Sequence, residues 1–316
     1  MAKYEKATQP TMYFIGVTTT KSSIMKVFPE WAKALGLKDA VIKGMDLPIH
    51  ADPQEYIDAV EFIKNDPLSM GALVTTHKID LYHAAKHLFE YLDPYAQMFG
   101  ELSSISKKDG KLCGHAKDPI SSGCAMEHFV PKNYWAEKGG EVLIFGAGGS
   151  AIAMGSYLMR PEFKGNYPRK ITIANRSLPR LKEIERMYNE LQPGGVEFAF
   201  ELTPEFEQND EVLKKIGPNS LIVNATGLGK DRPGSPVTDA AVFPKDSLVW
   251  EINYRGDLKF MYQALAQKEK QNLHVEDGWT YFIYGWTLVI AEVFHIEIDD
   301  QKLAELDKIA AAFNGK

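Results

Sequence analysis

The sequence predicts an α/β protein of two domains, an N-terminal α/β domain and a Rossmann-type, doubly wound nucleotide-binding domain. In the first third of the chain, apolar runs of strand length alternate with segments of helix length, which is typical of parallel sheets. Near the middle, Glu141–Met154 joins an apolar run, a glycine-rich turn and a helical pattern of small residues. A chain of 316 residues is also long enough for two hydrophobic cores.

Three strands with helices between them are predicted in the N-terminal domain, at Met12–Val17, Ala40–Met45 and Gly71–Thr75. The third strand leads directly to Lys78. Open α/β sheets bind ligands at the carboxyl ends of their strands, so we expect the end of this strand to lie at a ligand site.

A β-hairpin is predicted next, with arms at Phe99–Ser106 and Lys111–His115, because an Asp-Gly pair between them favours a tight turn. The connecting helix to the second domain is expected to begin at Gly123. We expect Pro131–Gly140 to be a loop at the entrance to the nucleotide-binding domain.

The second domain opens with a predicted strand, Val142–Phe145, that runs into a glycine turn and a helix start. Glycines allow the backbone to turn sharply and to approach a pyrophosphate, which the N–H groups of a helix's first turn bind. The residues of this candidate phosphate site are Gly146, Ala147, Gly148, Gly149, Ser150 and Ala151. A close-packed strand-to-helix connection without a ligand is the alternative.

The next predicted strand, Lys170–Ala174, ends in a basic segment that contains Asn175, Arg176, Ser177 and Arg180. An NAD site usually carries an acidic residue at this strand end for the ribose 2′-hydroxyl, and no acid is present here. Arginine guanidinium groups can instead bind a 2′-phosphate, which indicates NADP. The alternative is a solvated basic helix start. Further strands are predicted at Leu221–Ala225 and Leu248–Ile252.

The composition excludes several classes of function. A net charge of -6 provides no basic excess for a nucleic-acid partner. Cys113 and Cys124 are too few for a disulfide framework, so a cytoplasmic location is expected. We expect no membrane segment, because the most apolar window, Trp279–Phe294, is shorter than a bilayer span and contains Glu292. The eight histidines form no cluster of metal-binding spacing, so no metal is expected.

The order of these motifs resembles the shikimate dehydrogenase family over nearly the whole chain. The matching residues are Ser22 in the first loop, Val74, Thr75 and Lys78, Gly114 and Asp118, the Gly-Ala-Gly-Gly turn, Asn-Arg-Ser, Asn224–Thr226, Tyr254 after Glu251, and Asp277–Gly278 before a late helix. Members of the family reduce a cyclic ketone with NADPH, or run the reverse oxidation, with a Lys and an Asp at the domain cleft. The resemblance implies a substrate domain at 1–124, a Rossmann NADP-binding domain at 125–276, and C-terminal helices at 277–316 that pack back on the first domain.

By position, the resemblance implies that Lys78 and Asp118 are the catalytic pair. It also implies that the Gly-rich turn binds the pyrophosphate, that Asn175, Arg176, Ser177 and Arg180 bind the 2′-phosphate, and that Gly278 presents backbone to the nicotinamide. Asn224, Ala225 and Thr226 would line the cofactor cleft. Candidate substrate contacts are Ser22, Thr75, Ser103, Lys117 and Tyr254.

The sequence departs from the family pattern mainly in the substrate pocket. The family's second loop serine is replaced by Ile24, and the glutamine of the late helix is replaced by Gly285. A site that loses its hydrogen-bonding partners loses affinity for the corresponding hydroxyls, so a substrate other than shikimate is indicated. An anionic group of the substrate could bind Lys117 or Lys21, and the alternative is that both are solvated loop charges. Lys230 also replaces a methionine that the family usually has beside the nicotinamide.

The predicted function is therefore an NADP-dependent oxidoreductase of a cyclic or polyhydroxylated, acidic small molecule. Two alternatives stay open, a folate-type dehydrogenase of similar two-domain shape and a non-catalytic NADP-binding regulatory protein. Retention of both Lys78 and Asp118 favours the enzyme. The sequence does not decide the oligomeric state, and a homodimer is compatible with it.

Overall fold

The structure, a computed structural model, describes residues 4–191, 195–230 and 232–313. Its contacts divide the chain into two compact units. The first unit contains the chain up to Lys117 and from Gly285 on, and the second unit contains Asp118–Tyr284.

The first unit contains ten helices and strands before residue 118, in the order β1 Thr11–Gly16, α1 Ile24–Ala34, β2 Val41–Asp46, α2 Pro53–Asn65, β3 Ser69–Val74, α3 Lys78–Ala85, β4 Tyr91–Leu92, α4 Pro94–Phe99, β5 Ser104–Lys108 and β6 Lys111–His115. Local sequence explains several boundaries. The Asp52 side chain accepts a hydrogen bond from the Gln54 N–H at the start of α2, and Pro53 suits a first helical position. Gly100, in the left-handed conformation, ends α4.

The first unit's six strands form one mixed sheet in the order β2-β1-β3-β5-β6-β4. Strands β1, β2 and β3 are parallel, whereas β5 is antiparallel to both β3 and β6. The apolar side chains of β1, α2 and β3 pack into a core that includes Ile15, Tyr56 and Val74. The parallel arrangement places the ends of β1 and β3 at the same edge of the sheet.

The second unit continues with α5 Asp118–Phe129, α6 Tyr134–Lys138, β7 Val142–Phe145, α7 Gly149–Leu158, β8 Lys170–Asn175, α8 Leu178–Leu191, β9 Glu197–Leu202, α9 Phe206–Lys214, β10 Leu221–Asn224, β11 Leu248–Glu251, α10 Lys259–Leu265, α11 Lys268–Gln271 and β12 His274–Glu276. The chain ends with α12 Trp279–Phe294 and α13 Asp300–Ala311. Three short 3-10 helices lie at Thr19–Lys21, Lys86–Leu88 and Pro161–Phe163.

The sheet of the second unit has the strand order β12-β11-β10-β7-β8-β9, and all of its pairs are parallel. Counted from β7 as the first strand, this is the order 3-2-1-4-5-6 of a doubly wound nucleotide-binding sheet, read from the other edge. The strand order reverses between β7 and β10, which is where such sheets bind their ligands. The predicted α/β fold class is confirmed.

Several predicted boundaries are wrong for local reasons. Helix α5 begins at Asp118 and not at Gly123, because Pro119 suits the first turn of a helix. The predicted loop Pro131–Gly140 contains α6, which ends at Gly139 in the left-handed conformation. The first hairpin arm begins at Ser104, since Phe99 is the last residue of α4.

The predicted helix Trp279–Phe294 is confirmed with the same bounds. Among the described residues, no helix is both long and apolar enough to span a membrane. The amphipathic pattern from Asp299 onward predicts a last helix that ends at Asn314–Gly315, and that end lies outside the described residues.

Candidate functional site

The glycine corner joins the ends of three neighbouring strands in the second unit. Gly146 has a φ of +109°, and a Cβ there would lie 2.6 Å from the Ala225 carbonyl oxygen after β10. The Gly146 N–H donates to the Ala174 carbonyl of β8, and the Ala225 N–H donates to the Phe145 carbonyl of β7. Only glycine fits at 146, because both the backbone conformation and the space exclude a side chain.

The next two glycines leave the start of α7 open. Gly148 and Gly149 are exposed, and a Cβ at Gly148 would meet nothing within 4 Å. Ala151, in contrast, is fully buried, and its carbonyl accepts a hydrogen bond of 2.6 Å from Tyr188 Oη. The corner thus combines an exposed backbone at a helix N-terminus with close packing behind it, which suits a bound phosphate.

The basic segment lies at the tip of β8. Asn175 is the last residue of that strand, and its side-chain Nδ2 donates to the Ser177 carbonyl at 3.3 Å. Arg176 follows the strand and Arg180 lies in the first turn of α8, and both are exposed. No acidic residue follows directly in Asn175–Arg180, so a phosphate at this strand end would have the guanidinium groups of Arg176 and Arg180 as its charged partners from this segment.

A hydrogen-bond network organises the end of β10. Asn224 is fully buried, and its Oδ1 accepts bonds from the Thr226 N–H at 3.1 Å and the Thr226 hydroxyl at 2.7 Å. The Thr226 hydroxyl accepts in turn from the Leu228 N–H at 3.1 Å. The side chain of Asn224 therefore fixes the turn that contains Ala225 and Thr226.

The sequence analysis missed the role of Glu251, the last residue of β11. It is fully buried and pairs with Asn224 in the parallel register of β10 and β11. Its Oε2 accepts from Asn224 Nδ2 at 2.7 Å, and its Oε1 accepts from the N–H and Nδ2 of Asn253 at 2.9 and 2.6 Å. Burial raises the pKa of Glu251 to about 7, although these hydrogen bonds lower it.

Gly278 and Tyr254 lie beside this network. A Cβ at Gly278 would lie 2.0 Å from the Ile252 carbonyl oxygen, and the Gly278 N–H donates to the Asn253 carbonyl. The Tyr254 ring packs against Phe282 with centroids 4.5 Å apart, and Lys230 Nζ lies 5.8 Å from the Tyr254 centroid. The lysine that replaces the family's methionine therefore contacts an aromatic face.

In the first unit, Lys78 is the first residue of α3, directly after the turn that follows β3. Thr75 caps the strand end, and its hydroxyl donates to the Ile15 carbonyl of β1 at 3.3 Å. His77 is buried, and its Nδ1 lies 3.0 Å from Tyr56 Oη. The His77 ring packs against the ring of Tyr56 in α2, with centroids 5.5 Å apart.

Two consecutive residues, Leu102 and Ser103, connect Lys78 to the segment before Asp118. The Leu102 N–H donates to the Lys78 carbonyl at 3.1 Å. The Ser103 hydroxyl accepts from the Lys117 N–H at 2.7 Å and contacts the His115 carbonyl at 3.4 Å. Ser103 is buried, so its hydroxyl holds backbone in this structure. The backbone at Lys78 and the residue next to Asp118 are thus fixed to one segment.

The ammonium of Lys117 is paired with a residue from the end of the chain. Lys117 Nζ lies 2.6 Å from Glu292 Oε2, and His115 Nε2 lies 3.2 Å from Glu292 Oε1. Burial opposes ionisation of Glu292, but the Lys117 hydrogen bond and the charges of His115 and Lys117 outweigh it and hold its pKa below the usual value. Lys117 is therefore not a solvated loop charge, and its charge is already balanced within the first unit.

The first loop shows why the family's second serine is missing. Ser22 is half-buried and follows the 3-10 helix Thr19–Lys21. Ile24 is the first residue of α1 and is fully buried in the core. A hydroxyl at this position would be buried without the apolar contacts that Ile24 makes, so only the Ser22 half of the pair is retained.

The predicted residues fall in both units. Lys78, Ser22, Thr75, Ser103 and Lys117 belong to the first unit. Asp118, Tyr254 and all predicted cofactor contacts belong to the second unit. Within the second unit the structure brings the glycine corner and the Asn224–Thr226 turn together. In the part of the chain that the structure describes, no group of three or more His, Cys, Asp or Glu side chains could hold a metal ion.

Comparison with known proteins supports the resemblance. No protein-family model matches the chain. The shikimate dehydrogenase (NADP(+)) of Streptococcus thermophilus is 29% identical over 193 residues, which cover 61% of this chain and 62% of that protein. The match therefore spans less than two thirds of that relative's length.

Solved structures share the fold over nearly the whole chain. A quinate dehydrogenase from Corynebacterium glutamicum in complex with NAD superposes with a TM-score of 0.73 at 17% identity, covering 96% of this chain and 99% of that one. A shikimate dehydrogenase in complex with NADP+ gives a TM-score of 0.73 at 20% identity, covering 100% and 99%. These structures confirm the fold, and the sequence match to the Streptococcus thermophilus protein supports the resemblance that the motifs indicated.

Proposed function

We propose that this chain is an NADP-dependent oxidoreductase of the shikimate dehydrogenase type. It would transfer a hydride between NADP(H) and a cyclic or polyhydroxylated, acidic, shikimate-like substrate. The observation that carries the proposal is the Leu102–Ser103 segment, which fixes the backbone of Lys78 and of the residue before Asp118. A protein that only bound NADP would not require this arrangement.

The residues of the second unit fit the cofactor. The exposed backbone at Gly148 and Gly149 would hold the pyrophosphate, and Arg176 and Arg180 would hold the 2′-phosphate. The remaining proposed contacts are Ala147, Ser150, Ala151, Asn175, Ser177, Asn224, Ala225, Thr226 and Gly278. We propose accordingly that the second unit binds NADP and that the first unit binds the substrate.

Lys78 would exchange the proton at the substrate oxygen. When bound, the nicotinamide supplies or accepts the hydride. Reduction of a carbonyl develops negative charge on its oxygen, and an ammonium both stabilises that charge and delivers the proton. Asp118 is the proposed carboxylate partner of the pair; it is the first residue of α5 and follows Lys117, whose N–H donates to the Ser103 hydroxyl.

The substrate pocket would use Ser22, Thr75, Ser103, Lys117 and Tyr254. Since Ile24 lies in the core, only one of the family's two serine positions, Ser22, holds a serine that could bind a carboxylate of the substrate. The pairing of Lys117 with Glu292 disfavours a simple anion site at that lysine, because an incoming carboxylate would have to compete with a carboxylate already in place. Lys21 is exposed and stays the alternative anchor for an anionic group.

The location and assembly of the protein are also proposals. Cys113 and Cys124 are both free thiols, which fits a reducing cytoplasm. A homodimer is the assembly to test, and light scattering on the purified protein would measure it.

An NADP+ reduction assay against a panel of cyclic polyols and hydroxy acids, with shikimate and quinate included, tests the proposed function. With the best substrate, Lys78→Met should lower kcat roughly 100-fold or more while the Kd for NADPH stays unchanged, because general acid–base groups contribute about this much. Lys43→Met, at an exposed lysine of β2, is the matched control and should keep full activity. Equal activity of the Lys78→Met protein would contradict the proposal, and NADPH binding without turnover on any substrate would favour a regulatory protein.

A further inference from the structure

Glu251 connects the two backbone segments on which the proposed nicotinamide contacts depend. One carboxylate oxygen accepts from Asn224, whose other amide atom fixes Thr226. The second carboxylate oxygen accepts two bonds from Asn253, whose carbonyl accepts the Gly278 N–H.

The Leu228 carbonyl closes the network from the other side. It accepts from Asn224 Nδ2 at 3.2 Å and from Asn253 Nδ2 at 3.1 Å. Each of the two amide groups therefore donates both to Glu251 and to Leu228. The turn after β10 and the segment after β11 are held in one arrangement, with Glu251 as the shared acceptor.

We propose that Glu251 is a positioning residue for the nicotinamide half of the cofactor, acting through Asn224 and Asn253 on the turn that contains Ala225 and Thr226 and on Gly278. This inference rests on the proposed function, since it assumes that NADP binds the second unit. Glu251 is fully buried and is not expected to touch the cofactor itself.

The geometry requires two acceptor oxygens at position 251. All three groups that face the carboxylate are N–H donors, from Asn224 and from the backbone and side chain of Asn253. A glutamine would replace one oxygen with a donor. Asn224 cannot turn its amide to compensate, because its Oδ1 already accepts two bonds from Thr226. Glu251→Gln therefore removes at least one hydrogen bond while it keeps the size and shape of the side chain.

The test compares binding of NADPH with binding of adenosine 2′,5′-bisphosphate, which carries the adenosine half and the 2′-phosphate alone. Glu251→Gln should raise the Kd for NADPH roughly tenfold, because a hydrogen bond to a charged group is lost. The Kd for adenosine 2′,5′-bisphosphate should not change. Amide hydrogen exchange without any ligand should become faster at Thr226 and Leu228.

Glu141→Gln is the matched control, since Glu141 is a buried carboxyl that precedes β7 at the amino-terminal edge of the same sheet and pairs with Arg169. It should leave both dissociation constants and the exchange of the turn unchanged. Should Glu251→Gln fail to fold, Asn253→Ala removes the side-chain hydrogen bonds to Glu251 and Leu228 and should show the same selective loss.

The outcomes separate this inference from the proposed function. If the unmodified protein bound neither NADPH nor adenosine 2′,5′-bisphosphate, both the proposed function and the positioning role of Glu251 would be refuted. If the unmodified protein bound both, and Glu251→Gln left the NADPH Kd and the exchange rates unchanged, only the positioning role would be overturned. An equal loss for both ligands would also overturn it, because a general defect of the unit would then be the cause.

Discussion

Replacing Glu251 with glutamine removes a titrating carboxyl group from the second unit and should therefore change how the unfolding free energy depends on pH. Burial raises the pKa of this carboxyl from 4.5 to about 7 in the folded protein. The folded state therefore holds the proton more tightly than the unfolded chain. The corresponding stability is fully present below pH 4.5 and is lost as the pH rises through about 7. This difference between the pKa values of the folded and unfolded states corresponds to about 3 kcal/mol of unfolding free energy.

Equilibrium unfolding in urea, followed by tryptophan fluorescence from about pH 4.5 to about pH 8.5, measures this effect. The unfolding free energy of Glu251→Gln minus that of the unmodified protein should rise by about 3 kcal/mol across this range, since all other titrations cancel in the difference. Asp257, whose charge contributes to the raised pKa, provides a second check. Asp257→Asn should move the pH dependence to lower pH. A difference that stayed constant with pH would refute the assignment of this titration to Glu251.

Three further predictions concern the other parts of the site. Arg176→Ala should weaken NADPH binding roughly tenfold or more and leave NADH binding nearly unchanged, because only NADPH carries the 2′-phosphate. Equal losses for the two cofactors would contradict the assignment of Arg176 to the 2′-phosphate. Gly146→Ala should lower the unfolding free energy in urea by about 1–3 kcal/mol, because its Cβ would lie against the Ala225 carbonyl. Gly148→Ala should change the unfolding free energy by less than about 0.5 kcal/mol, because its Cβ meets no atom, and should weaken only NADPH binding. A double-mutant cycle of Lys117→Met and Glu292→Gln should give a coupling free energy of about 1–3 kcal/mol in unfolding, and a value near zero would show that the pair is not formed.

Much of the second unit followed from local patterns in the sequence. The glycine corner, the basic tip of β8 and the buried strands β7, β10 and β11 all carry short-range signatures, because steric demands and strand burial act on neighbouring residues. Strand β9 at the sheet edge was not predicted, although the apolar residues Phe198, Phe200 and Leu202 alternate with Glu197, Ala199 and Glu201 as in a partly buried strand. Strand β12 is only three residues long.

The contacts that organise the candidate site could not be found in this way. Lys117 and Glu292 are separated by 175 positions, so no spacing in the sequence connects them. Glu251 was recognised only as an acidic residue at a strand end, and its importance comes from burial between β10 and Asn253. The sequence shows that position 24 lacks the family's serine. That Ile24 is buried in the core is seen only in the structure.

Lys78 and Lys117 are hydrogen-bonded to two adjacent residues, Leu102 and Ser103, and this arrangement bears on how the substrate preference of such a protein can change in evolution. Two departures from the family pattern, isoleucine in the core at 24 and glycine at 285, lie outside the Leu102–Ser103 segment. On the proposed function, the residues that exchange the proton would therefore stay fixed while residues that contact the substrate change. A lineage can explore new compounds while the reaction it performs on them stays the same.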